Sequence, residues 1–161
     1  MIDDLLELQV IQPSKATAWS QVHLIRKPTG DWRFTVDYRG LNKVISNEGW
    51  QIPNMRDMLM RIGHQRPKCF AVADLTSGFF QMPLHETCRK YTAFISFRGI
   101  YEWTRVPMGL LPSANYFQKS MSVYVLNDLL YKICEVYIDD NYTNLGERQF
   151  YLQRADGISA M

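Results

Sequence analysis

Cys69-Phe70-Ala71-Val72-Ala73-Asp74 and Ile133-Cys134-Glu135-Val136-Tyr137-Ile138-Asp139-Asp140 are the two stretches on which the fold turns. Each is a short, mostly apolar run that stops at a carboxylate, the pattern of a largely buried strand reaching a sheet edge. Two adjacent carboxylates repel unless water or a cation offsets the charge. A water-bathed surface turn would suffice for Asp139-Asp140 alone. If the two runs are neighbouring strands, however, Asp74, Asp139 and Asp140 meet at one edge. Oxygen donors without His or Cys suit magnesium or manganese, not zinc. Such a set fits phosphoryl transfer through two metal ions.

Further elements read outward from these strands. Trp32 to Tyr38 alternates cleanly and Gln21 to Lys27 loosely, which predicts half-buried strands. Pro28-Thr29-Gly30-Asp31 joins them as a hairpin loop with Arg26, Lys27 and Arg33 on its rims. Ile2, Leu5, Leu6 and Val10 share a helical face. Pro53 to Ile62 reads as a helix capped by Gly63. Tyr91 to Phe97 and Ile100 to Arg105 read as strands about an Arg98-Gly99 turn, and Pro112 to about Leu130 as one long helix. Strands and helices interleave, so the expected class is α/β or α+β, a mixed or antiparallel sheet backed by helices.

The chain has 161 residues, 47% hydrophobic and 21% charged, which excludes a disordered tail, a collagen or a coiled coil. No apolar run reaches the roughly 18–20 residues of a membrane span, so no membrane partner is expected. The acidic start Met1-Ile2-Asp3-Asp4 is unlike a signal peptide, and Cys69, Cys88 and Cys134 lack metal-ligand spacing. An intracellular setting is expected. Between Lys15 and Lys43, six basic residues face two acids; between Glu135 and Asp156, five acids face two arginines. A basic front and an acidic rear suit a polyanion grip and a cation site, though ordinary solvated surfaces produce the same pattern.

Several ordered motifs carry a family likeness. They are Trp32-Arg33-Phe34-Thr35-Val36-Asp37-Tyr38-Arg39-Gly40-Leu41-Asn42, then Ala73-Asp74-Leu75-Thr76-Ser77-Gly78-Phe79-Phe80-Gln81-Met82-Pro83-Leu84 and Arg89-Lys90-Tyr91-Thr92-Ala93-Phe94. Val106-Pro107-Met108-Gly109-Leu110, Phe117-Gln118 and Tyr137-Ile138-Asp139-Asp140 follow. In order and spacing the chain resembles the reverse transcriptase of retroviruses and LTR retrotransposons, most of all the gypsy type.

The resemblance implies the fingers and an incomplete palm of a right-hand polymerase. Residues 1–73 would be mainly fingers with the palm entry, and 74–161 mainly palm, with a fingers insertion near 85–115. Asp74, Asp139 and Asp140 would be the catalytic, metal-holding carboxylates, with the Leu75 carbonyl as a further metal ligand. Lys27 and Arg33 would clamp the triphosphate, Phe79 would be the steric gate against a 2′-hydroxyl, and Met108 and Gly109 would lie beside the nucleotide. The implied cofactor is two Mg2+ ions, with Mn2+ as a substitute. The implied partners are an RNA or DNA template with its primer, deoxynucleoside triphosphates, and thumb, connection and ribonuclease H segments outside these residues. Asp37 and Arg39 read as a structural pair, Gln118 as a supporting residue, and Trp19, Trp50 and Trp103 as core or rim.

The chain departs from the family pattern in places. Asn141-Tyr142-Thr143-Asn144-Leu145 is polar where an apolar strand belongs, so weak strand register is expected. In Leu111-Pro112-Ser113-Ala114 the proline is displaced. A catalytically inactive retroelement remnant that binds nucleic acid weakly is the alternative reading.

Overall fold

A computed structural model describes residues 1–47, 49–67 and 69–145. In chain order the strands are β1 (Ile11–Pro13), β2 (Ser20–Arg26), β3 (Trp32–Val36), β4 (Cys69–Asp74), β5 (Phe94–Ser96), β6 (Gly99–Trp103), β7 (Cys134–Tyr137) and β8 (Asp140–Leu145). The helices are α1 (Ile2–Glu7), α2 (Arg39–Asn42), α3 (Met55–His64), α4 (Glu86–Arg89) and α5 (Ser113–Ser120). Two sheets result: a five-stranded one in the order β1-β6-β5-β2-β3 and a three-stranded one in the order β4-β8-β7.

Local pattern explains the first sheet. The alternating β3 pairs antiparallel with β2, Val22 opposite Val36 and Arg26 opposite Trp32, and the hairpin loop falls where Pro28 to Asp31 predicted it. Phe34, Phe94 and Trp103 meet edge-on or tilted around one core, which Ile2, Val10, Ile11 and Tyr38 complete. The second core gathers Met82, Val106, Phe117, Met121 and Val136 beside the three-stranded sheet. Neighbouring phenylalanines join the two. Phe80 stacks on Trp103 in the first core, with ring centroids 5.1 Å apart, while Phe79 packs on Phe117 in the second at 5.0 Å. The 3-10 turn Gly78–Gln81 is therefore the seam between the sheets.

Three predicted elements differ in bounds for identifiable reasons, while others shift by one or two residues at an end. α3 starts at Met55 because the Asn54 side chain accepts from the Arg56 N–H as its N-cap, and it runs through Gly63 to His64. Lys90–Thr92 winds into a 3-10 turn, so the strand expected from Tyr91 begins at Phe94. The long helix expected to Leu130 is α5 followed by a π-helical turn, Met121–Val125. Val123 and Val125 are stiff, β-branched residues that lower helix propensity there.

β8 corrects the expectation of weak register. It pairs with β4 from Asp140 opposite Asp74 to Leu145 opposite Cys69, and with β7 from Asp140 opposite Tyr137 to Thr143 opposite Cys134. Ladders on both sides hold a central strand in place without help from alternating side chains.

Candidate active site

The site is built by pairing. Asp74 and Asp140 are direct cross-strand partners at the end of the β4–β8 ladder, so their Cα atoms lie roughly 4.5–5.5 Å apart and their side chains share one face of the sheet. Tyr137 completes that row. Ala73, Asn141 and Val136 form the next row, on the opposite face, where Val136 packs among Phe117 and Met121. Asp139 follows Ile138 in the two-residue turn between β7 and β8, and its carbonyl accepts the Leu75 N–H at 3.4 Å. All three aspartates thus come from the adjoining ends of neighbouring strands.

The turn is unusual for its residue. A two-residue hairpin with positive φ at its first position favours glycine; here that position is Ile138, with φ +55°. A β-branched residue there costs on the order of 1–3 kcal/mol, so its surroundings must hold it. The Ile138 side chain packs against the second core, and its N–H donates to Oε1 of the buried Gln118 at 2.7 Å.

The three carboxylates are available to a ligand. Asp74 is exposed and Asp139 and Asp140 are half-buried. None of the three side chains has a hydrogen-bond or ion-pair partner among the described residues, and in this arrangement no group of three His, Cys, Asp or Glu side chains among those residues is placed to hold a metal ion. Unpaired hard oxygen donors from two abutting strand ends fit a divalent cation by their chemistry. The Leu75 carbonyl accepts the Gly78 N–H at 3.1 Å, which leaves it one lone pair. Beneath the turn, the Asn141 amide donates to the carbonyls of Ala73 and Asp139 at 3.4 Å each, while its Oδ1 is buried and unpartnered among the described residues.

The other predicted site residues lie on the second core and on the first sheet. Phe79 is half-buried against Phe117. Met108 is exposed, and Gly109 follows with φ +92° close to the Tyr38 ring and the Val36 carbonyl. Arg33 is opposite Ile25, and Lys27, two residues on from Ile25, continues the same face; both cations are exposed at the hairpin. Asp37 and Arg39 form the expected pair: the guanidinium donates to both carboxylate oxygens at 2.7–3.1 Å and holds the Asp37 carboxyl well below its ordinary range. Trp103 is core, whereas Trp19 and Trp50 are exposed. Trp19 lines a cleft of about 1050 Å³ with Lys15 and Lys90, and Asp74, Asp139 and Asp140 are not among the residues that line it.

Residues 25–147 match the family model described as reverse transcriptase (RNA-dependent DNA polymerase). The chain belongs to the reverse transcriptase family. It is 35% identical over 143 residues to the enzymatic polyprotein of cauliflower mosaic virus (strain Strasbourg), covering 86% of this chain and 20% of the polyprotein. To the retrovirus-related Pol polyprotein from transposon opus of Drosophila melanogaster it is 35% identical over 144 residues, covering 86% of this chain and 14% of that protein. Among solved structures it resembles the protease-reverse transcriptase of prototype foamy virus, with a TM-score of 0.81 and 33% identity over 91% of this chain and 19% of the other. A foamy viral protease-reverse transcriptase in complex with double-stranded DNA matches with a TM-score of 0.77 and 31% identity, over 90% of this chain and 29% of the other. The chain thus spans about a fifth of the first curated relatives it matches.

As a reverse transcriptase segment it contains two supports, Asn42, to which the sequence assigned no role, and Gln118, which it marked as a supporting residue. Asn42 donates to the Gly109 carbonyl and accepts from the Leu111 N–H, both at 2.9 Å, which fixes the glycine bend. Gln118 bonds the Val136 carbonyl and the Ile138 N–H, on either side of Tyr137. Their places inside the quoted motifs were the available signal; which backbone atoms they reach is decided by contacts distant in sequence.

Proposed function

We propose that this chain carries the fingers and part of the palm of an RNA-directed DNA polymerase, which adds deoxynucleotides to a primer 3′-hydroxyl under the direction of a template. The five-stranded sheet would be the fingers and the three-stranded sheet the palm. Family membership supports this reading, and the observation that carries it is the register that sets Asp74 opposite Asp140 with Asp139 in the adjoining turn. Asp74, Asp139 and Asp140, with the Leu75 carbonyl, would hold two divalent cations, Mg2+ or Mn2+. When bound, such ions lower the pKa of the attacking hydroxyl and stabilise the leaving pyrophosphate.

The chain's own groups do the rest. Lys27 and Arg33 supply countercharge to a triphosphate, the lysine as a point charge and the arginine as a planar fork. Phe79 places a flat ring where a ribose 2′-hydroxyl would need room, which favours deoxynucleotides. Gly109, lacking a Cβ, lets the backbone approach the nucleotide beside Met108.

Manganese titration and primer extension test the reading. Mn2+ binding is expected to weaken roughly tenfold or more in Asp74→Asn, and incorporation opposite a templating base to vanish in Asp139→Asn. Cation binding indifferent to Asp74, or extension indifferent to Asp139, overturns it. Metal binding without any incorporation would favour the inactive remnant.

A further inference from the structure

Gln118 is 1% exposed, on α5, and its side-chain amide makes three hydrogen bonds. Oε1 accepts the Ile138 N–H at 2.7 Å. Nε2 donates to the Val136 carbonyl at 3.1 Å and to Ser122 Oγ at 3.3 Å. The amide therefore grips the chain on both sides of Tyr137, at the last buried strand residue and at the left-handed turn residue. Its orientation is set by chemistry: turned over, its NH2 would face the Ile138 N–H, donor against donor, and its oxygen would face the Val136 carbonyl. At 1% exposure the amide leaves water no ready path to replace these bonds.

Resting on the polymerase reading, we propose that Gln118 is a positioning residue. It pins Ile138 at positive φ, thereby aims Asp139 and Asp140 toward Asp74, and so sets the affinity of the site for a divalent cation. Ile138 is the point of leverage, because an unclamped β-branched residue would leave the left-handed region and carry Asp139 with it. Ser122 Oγ accepts from Nε2 on the far side of the amide and has no hydrogen bond to Ile138 or Asp139 among the described residues, which makes it the control.

The experiment uses the 161-residue chain, amide hydrogen exchange by NMR, and Mn2+ binding by water-proton relaxation. In the unmodified chain the Ile138 amide, although at a hairpin tip, is expected to exchange as slowly as the ladder amides of β7. Gln118→Met should free that amide and weaken Mn2+ binding roughly tenfold or more; Ser122→Ala should leave both nearly unchanged. An Ile138 amide that exchanges freely in the unmodified chain overturns the proposal without recourse to any variant. So does Mn2+ affinity in Gln118→Met equal to that of the unmodified chain, or lost equally in Ser122→Ala. A protected amide, freed by Gln118→Met, in a chain that binds no Mn2+ counts against the polymerase reading and upholds the clamp on the turn.

Discussion

Asp74 and Asp140 face each other at the last rung of the β4–β8 ladder, two carboxylates where a sheet ordinarily sets apolar or opposite-charge partners. Like charges directly opposite are destabilising by a few tenths of a kcal/mol to about 1. In the absence of divalent cations, Asp140→Asn is therefore expected to melt slightly higher than the unmodified chain. Adding Mn2+ should reverse the order, because a ligand that binds only the folded state stabilises it. Thermal melts with and without Mn2+ check this; an Asp140→Asn chain that gains as much from Mn2+ as the unmodified one would count against the site.

Gly78 sits under Phe117, where an added Cβ would come within 2.9 Å of Cζ and 3.1 Å of Cε2. The Phe117 ring is 2% exposed and already packed on Phe79, so it has nowhere to yield. Gly78→Ala should cost roughly 1–3 kcal/mol as overpacking, measured by urea unfolding, and should displace Phe79. In an active polymerase context, discrimination against ribonucleotides would then change together with stability.

Arg61 and Glu135 tie α3 to β7 through two bonds of 2.8 Å. The Glu135 side chain is 3% exposed and the Arg61 side chain 40%. Removing only the arginine strands a buried carboxylate, and Arg61→Met is expected to cost about 3 kcal/mol. The double change Arg61→Met with Glu135→Leu should cost clearly less than Arg61→Met alone. Equilibrium unfolding of both variants checks the comparison, and equal losses would mean that the ion pair is not what holds the helix.

Tyr38 is buried in the first core and donates from its hydroxyl to the Thr92 carbonyl at 2.8 Å. Burial pushes the phenol well above its ordinary range. Below about pH 10 the phenol is protonated in both the folded and the unfolded chain, so it adds no pH dependence. As pH rises past that value the unfolded chain releases the proton first and stability falls. Tyr38→Phe should cost about 1 kcal/mol at neutral pH through the lost hydrogen bond and should show a shallower decline at alkaline pH. Urea midpoints between pH 8 and 10.5 provide the test.

The legible parts were those with a local cause. The alternation of Trp32 to Val36, the Pro28 to Asp31 loop and the apolar runs ending at Asp74 and Asp139-Asp140 were readable because strand period and turn chemistry lie within a few residues. The bounds of α3 moved because Asn54 was the better cap, a competition decided at the helix end. α5 is shorter than its sequence pattern implies because an apolar face continues past Ser120 while the backbone widens into a π turn. The polar run from Asn141 gave no strand period, since β8 owes its register to ladders on either side.

The amino-acid sequence alone determined the family and the class of fold and singled out three candidate aspartates, because those rest on residue identity, order and spacing. Tertiary structure alone decided that Asp74 lies opposite Asp140, that Ile138 occupies a glycine's conformation, and that the Gln118 amide accepts its N–H. These depend on strand register and on contacts between residues distant in the chain, which become defined only when the sheet closes on α5 and the buried amide has no water left to bond.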